Sequence, residues 1–151
     1  MMTVYRISHK KYAGQLIASG IENRWNLAGE LVLYTSTSRA LACLENLVYT
    51  SGETLGSGLY LCVTISIPDD ASTTIISLKD LPDHYSTEKG KLITQSLGDK
   101  WYREKKDLLL QVPSVIIAEE NNIVVNTHHE DFKLVKIISK QPFIFDDRLV
   151  K

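Results

Sequence analysis

Glu45 occupies an awkward place in the stretch NRWNLAGELVLYTSTSRALACLENLVY. If the last third of that stretch is a helix, Leu41, Leu44, Leu47 and Val48 form its apolar stripe, and Glu45 falls beside Leu41 and Val48 rather than opposite them. A carboxylate taken out of water is costly unless it is paired, so this position calls for a reason. Upstream stand Arg24, followed by Trp25, Asn26 and Gly29 in a loop, and Tyr34 at a strand end. A guanidinium in such a loop grips a phosphate or carboxylate through two parallel hydrogen bonds. The run TSTS, with Ser36 in it, opens a helix whose first N–H groups make an anion pocket. An aromatic face, an arginine and a helix N-terminus therefore converge beside one carboxylate, as a site for an anionic ligand would require.

Each of these residues also has a plain structural reading. Glu45 could turn out to solvent or pair with a structural arginine, Trp25 could pack into the core, and Tyr34 could simply bury its ring. Ser36 is by default a helix cap, and Ser114, after Pro113, is by default the first residue of a strand. Two other kinds of site are set aside. His128 and His129 are adjacent rather than spaced for one ion, and Cys43 and Cys62 have no partner nearby, so no metal site is expected. SGETLGSG, at 51–58, has no strand before it and no Lys-Ser/Thr after it; it reads as a flexible turn, not a phosphate loop.

The chain that must position these residues has 151 of them, 44% hydrophobic, which is enough for one domain spanning 1–151 and too little for two. Its 17 basic and 18 acidic side chains leave a formal charge of -1, without the electrostatic footprint of a nucleic-acid binder. The basic cluster KWYREKK at 100–106 reads as a solvated helix face. Two cysteines in apolar runs behave as small hydrophobes and suit a reducing cytoplasm. The opening MMTVYRISHKK lacks a signal-peptide pattern, and no apolar run approaches the length that spans a bilayer, so no membrane role is expected.

Strands are expected at 2–7, 31–35, 59–67, 74–78, 114–118, 123–126 and 133–139. Helices are expected at 9–19, closed by Gly20; from the candidate caps Ser36, Thr37 and Ser38 to about residue 50; and at 86–106, broken or bent near Gly98. The segment before Pro113 reads as irregular, and EENN reads as the turn between the strands at 114–118 and 123–126. Helices in the first half and strands dominating the second imply a mixed α/β or α+β domain, built on a central sheet with flanking helices.

The blocks VYRI, NRWNLAGELVLYTSTSRALACLENLV, VPSVIIAEENNIVVN with HHEDF behind it, and PFIFDDRL resemble the RES domain family, named for an Arg, a Glu and a Ser. The resemblance holds in order and spacing over nearly the whole chain. Matched residue by residue, the family's functional arginines fall on Arg6 and Arg24, its tyrosine on Tyr34, its glutamate on Glu45 and its serine on Ser114. Where many relatives have Asn-Pro before the histidine, this chain has Asn126 and Thr127, a departure that bears on the local turn.

The resemblance implies a fold similar to the ADP-ribosyltransferase toxins, a toxin of a bacterial type II toxin–antitoxin pair, and NAD as substrate with no metal. Such relatives break the bond between nicotinamide and ribose and pass the ADP-ribosyl group to water, phosphate or a protein. On that reading Glu45 stabilises positive charge on the ribose, and Arg24 and Tyr34 complete the catalytic set. Arg24 and Arg6 bind the pyrophosphate, Tyr34 stacks on the nicotinamide or ribose face, and Ser36 adds a ligand contact at the helix N-terminus. Ser114 hydrogen-bonds the nicotinamide end or holds Glu45 in place. An Xre-like antitoxin is implied as the partner that covers the cleft in a hetero-oligomeric complex. Two rival classes are a binding module that holds an anionic nucleotide without turnover, and a nuclease toxin. Low basic charge and the lack of clustered carboxylates argue against the nuclease.

Overall fold

The computed structural model describes residues 1–48 and 58–149, organised on a seven-stranded sheet of order β4-β5-β6-β2-β1-β3-β7. The strands are β1 Met2–His9, β2 Val32–Ser36, β3 Tyr60–Ile67, β4 Thr73–Ile75, β5 Leu109–Pro113, β6 Asn121–Asn126 and β7 Lys136–Phe143. Neighbours run antiparallel except β4 and β5, which are parallel. Helices α1, Arg39–Leu47, and α2, Glu88–Glu104, complete an α+β fold among the described residues.

Alternation along the strands sorts the apolar side chains into two layers. On one face Val4, Leu33, Val63, Ile65, Leu109 and Val125 are closed over by Ala13, Phe132 and Val135 from outside the sheet. The opposite face carries both helices. There, Ala42 and Leu47 of α1 meet Ile7, Tyr60, Cys62 and Phe145, while Leu97 and Trp101 of α2 meet Leu110, Val112 and Val124. Strand order places β2 between these two packed regions. The sheet is also least closed at this point: β1 and β2 register only at Tyr5 and Ser36, whereas β1 pairs with β3 from Met2 to His9. A cleft therefore opens where two neighbouring strands part.

Several expectations are corrected. Instead of a helix at 9–19, β1 continues through His9 and is followed by a single 3-10 turn, Lys10–Tyr12. Ala13 alone in that stretch is buried, and Tyr12 and Ile17 are exposed, so there is no apolar face to hold a helix down. The strand expected at 114–118 lies at Leu109–Pro113 instead. Both LLLQVP and SVIIA are rich in β-formers; the side chain of Ser114 decides between them by accepting the N–H groups of Ile116 and Ile117, which turns the chain. Of the strand expected at 74–78 only Thr74 and Ile75 fall in β4, which begins at Thr73, and a 3-10 turn begins at Leu78. The last strand starts later than expected, because a 3-10 turn, Glu130–Leu134, occupies the residues before it.

Helix α1 ends at Leu47 and Val48 is exposed, so Val48 is not part of the apolar stripe. The expected end near residue 50 and the turn at 51–57 lie outside the described residues. In the basic cluster at 100–106 the lysines and Arg103 are exposed while Trp101 is buried. His129 serves packing: its Nδ1 accepts the Asp131 N–H and its Nε2 lies 3.1 Å from the Lys106 carbonyl. Thr127, standing where many relatives have proline, donates both its N–H and its hydroxyl to the Leu31 carbonyl, two bonds a proline could not make. Among the described residues no helix is long and apolar enough to cross a membrane.

Candidate active site

Ser38, not Ser36, caps α1: its hydroxyl accepts the Leu41 N–H at 3.1 Å, while Ser36 is still the last residue of β2. Two turns beyond that cap, Glu45 leans over the sheet, half-buried, and its Oε1 accepts two hydrogen bonds of 2.7 Å, from Ser114 Oγ and from Asn122 Nδ2. The solvent-facing reading of Glu45 therefore gives way to a held carboxylate. Ser114 is fully buried at the end of β5, and its oxygen also accepts two backbone N–H groups, so its one proton is committed to Glu45. Ser114 thus holds Glu45 in place, one of the two contacts expected of it.

The cleft at the β1–β2 parting is bordered by Arg6, Arg24, Tyr34, Ser36, Glu45 and Asn122 among others. Tyr5, Arg6 and Ile7 all border it, although they are consecutive on β1, which the alternation of a closed sheet would not give. Arg6 has no hydrogen-bond acceptor or ion-pair partner among the described residues, and burial pulls its guanidinium pKa below the usual arginine value. A half-buried cation with no anion among the described residues is a group that an anionic ligand would satisfy. Arg24 Nη1 donates to the carbonyls of Thr87, at 2.8 Å, and Tyr85, at 3.3 Å, and its Nε is buried with no partner. One edge of the Arg24 guanidinium is thus engaged by backbone, and a ligand would meet the donors that remain.

The loop bearing Arg24 is tied down from both sides. Tyr34 donates its hydroxyl proton to Asn26 Oδ1 and accepts the Trp25 N–H at 3.0 Å, so its polar end is a strut while its ring borders the cleft. Trp25 itself is buried, in keeping with its core reading. From the other side α2 reaches in: Thr94 Oγ1 donates to the Arg24 carbonyl at 2.6 Å, and Gln95 Nε2 donates to the Asn23 carbonyl at 2.9 Å. Farther along, buried Glu30 accepts the Leu27 N–H; burial, with the Asp99 carboxylate alongside, raises its pKa.

Gly98 completes the grip, and α2 runs through it unbroken. The expected break is absent, and the missing side chain serves close approach: a Cβ there would lie 1.7 Å from the Trp25 carbonyl oxygen. Backbone cannot rotate away as a side chain can. Gly98→Ala is accordingly expected to destabilise the protein by about 1–3 kcal/mol, as overpacking does, and to lower the thermal midpoint by several degrees. An unchanged melting curve would show that the loop does not depend on this contact.

Asn122, Asn26, Thr94 and Gln95 were not apparent as site residues in the sequence. A signal existed for two of them, since Thr94, Gln95 and Gly98 share one face of α2 and are buried there. Asn122 carried no such signal, because a second Asn before β-formers reads as turn chemistry.

The sequence profile of the RES domain matches residues 3–146. The chain belongs to the RES domain family. The Prs ADP-ribosylating toxin of Sphingobium sp. (strain YBL2) is 36% identical to this RES chain over 141 residues, covering 92% of it and 85% of that toxin. A Toxin Res of Photorhabdus laumondii subsp. laumondii is 30% identical over 158 residues, 99% of this chain and 98% of its own length. In the crystal structure of the M. tuberculosis MbcT-MbcA toxin-antitoxin complex, one chain matches with a TM-score of 0.76 at 16% identity, covering 98% of this chain and 86% of that one. At that identity the likeness establishes the α+β fold of the RES chain. Glu45 and Ser114, expected to match the family's Glu and Ser, are in direct contact here.

Proposed function

We propose that this RES chain is the toxin of a toxin–antitoxin pair and that it consumes NAD by cleaving the nicotinamide–ribose bond. The observation that carries this reading is a carboxylate, Glu45, held by two donors in a cleft also bordered by Arg6, which has no partner among the described residues. Leaving nicotinamide takes the bonding electron pair, and positive charge develops on the ribose carbon, as in glycoside hydrolysis. A preorganised carboxylate stabilises that charge without having to reorganise. The acceptor oxygen then bonds the carbon and gives up its proton. Arg6 and the remaining donors of Arg24 hold the pyrophosphate, and the ring of Tyr34 lies along the ribose or nicotinamide.

The relative that carries the name ADP-ribosylating toxin supports NAD as the source of the transferred group, and it favours a protein as acceptor over water or phosphate. MbcT is solved with its antitoxin, which supports a partner here as well. An Xre-like antitoxin whose segment ends in a carboxylate would satisfy the arginines and exclude NAD, giving an inactive hetero-oligomer in the cytoplasm. The test is to incubate the purified protein with NAD labelled in the adenylate half, in phosphate buffer with bacterial cell extract as a source of protein acceptors, and to follow free nicotinamide against the extract alone. Stoichiometric nicotinamide is expected, and the label in ADP-ribose, in a phosphorylated ADP-ribose or on a protein identifies the acceptor. NAD that binds and stays intact would overturn the reading in favour of a binding module.

A further inference from the structure

We propose that Asn122, oriented by Ser36, is a positioning residue that decides which oxygen of Glu45 faces the reacting carbon; the inference rests on the NAD-cleaving reading. Tyr5, Ser36, Asn122 and Val112 form one row across β1, β2, β6 and β5. Directly opposed residues of an antiparallel pair put their side chains on the same face, so Ser36 and Asn122 stand side by side beneath α1. A carboxylate only accepts hydrogen bonds, so the group that Asn122 turns toward Glu45 must be its amide nitrogen, at 2.7 Å. Its carbonyl oxygen then faces Ser36, whose hydroxyl donates to it at 2.7 Å. The acceptor-only carboxylate selects the amide nitrogen, and Ser36 ties the far end of the Asn122 side chain so that it stays turned toward Glu45.

Ser114 alone leaves the carboxylate a choice. One donor lets the carboxylate plane swing about that single bond, whereas a second donor on the same oxygen, from a different strand, fixes it. Both donors go to Oε1, and among the described residues none is bonded to Oε2. The free oxygen is thus held in one direction, and that direction is set by the β5–β6 hairpin rather than by α1. Displacing a reacting group by about 1 Å costs on the order of 100-fold in rate, so the effect of the second donor should appear in kcat.

Asn122→Ala is expected to lower kcat for nicotinamide release by ~10- to 100-fold with KM for NAD little changed, and Ser36→Ala to lower it less. Asn122→Asp supplies a signature that a structural role would not. Near neutrality the introduced carboxylate repels Glu45; in acid it protonates and donates to Oε1 as the amide did, so activity is expected to recover toward low pH where the wild type shows no such limb. The other ionisable groups around Glu45, namely Tyr5, Arg6, Arg24 and Tyr34 bordering the cleft and Tyr85 behind it, are common to both proteins.

The orientation of the Glu45 carboxylate, compared between crystal structures of the wild type and Asn122→Ala without NAD, separates this inference from the reading it rests on. Loss of the Asn122 donor should let the carboxylate turn about its remaining bond to Ser114, and an unmoved carboxylate overturns the positioning role whatever the substrate proves to be. A wild-type kcat in Asn122→Ala, or Asn122→Asp inactive at every pH, overturns it too. A wild type that releases no nicotinamide, with the carboxylate turned in the variant, counts against NAD cleavage alone.

Discussion

Replacing Glu45 by Gln is expected to cut nicotinamide release by ~100-fold or more, the loss that follows removal of a preorganised charge at a transition state. The hydrogen bonds make this a clean substitution. Ser114 and Asn122 both donate to Oε1, so the amide oxygen of Gln can take both bonds, and only the outward Oε2 becomes an NH2 group. Shape and anchoring are kept while the charge is lost, so the melting curve should stay close to that of the wild type. In cells without the antitoxin, the wild type should deplete NAD and stop growth, and Glu45→Gln should do neither. Equal toxicity of a folded Glu45→Gln protein would remove Glu45 from the chemistry.

Arg6→Met is expected to weaken NAD binding by ~100-fold, about 3 kcal/mol, since a hydrogen bond to a charged group contributes about 1.5–3 kcal/mol and a guanidinium offers more than one. The same change should leave the thermal midpoint unchanged or raise it. Arg6 has no acceptor among the described residues, and burial already disfavours its charged form, so an apolar side chain of similar reach relieves a penalty. Opposite signs on stability and binding distinguish a ligand-binding arginine from a structural one. Calorimetric titration with NAD beside thermal melts decides it: a variant that loses stability and affinity together would show that Arg6 supports the fold instead.

Arg24 differs in this respect. Its bonds to the Tyr85 and Thr87 carbonyls join the loop to the segment ahead of α2, so substitutions there mix binding with loop order. That double role was not visible in the sequence, where Arg24 had the look of a free ligand grip. Tyr34 shows the same limit: its type and strand-end position were legible, but the two hydrogen bonds that make its hydroxyl a strut come from residues brought back by the loop.

Local pattern by itself determined the β-rich runs that became β1, β2, β3 and β6, the Ser-capped start of α1, the helical stretch after residue 86 though not its continuity through Gly98, and the placing of Arg24, Tyr34 and Glu45 on one short stretch. Those features rest on side-chain alternation, capping chemistry and spacing along a helix, all of which act over a few residues. Only the tertiary structure decided what holds Glu45 and where the cleft opens. Asn122 and Ser114 lie 77 and 69 residues from Glu45 along the chain, and they meet it through the β5–β6 hairpin, which a Ser114 hydroxyl turned five residues away from where β-propensity alone had placed the strand. Gly98 looked like a helix breaker because its conformational freedom is local, while its use, contact with the Trp25 backbone, is set by a partner 73 residues away. The single registered pair between β1 and β2 is likewise a property of how neighbouring strands diverge, which no run of residues on either strand encodes.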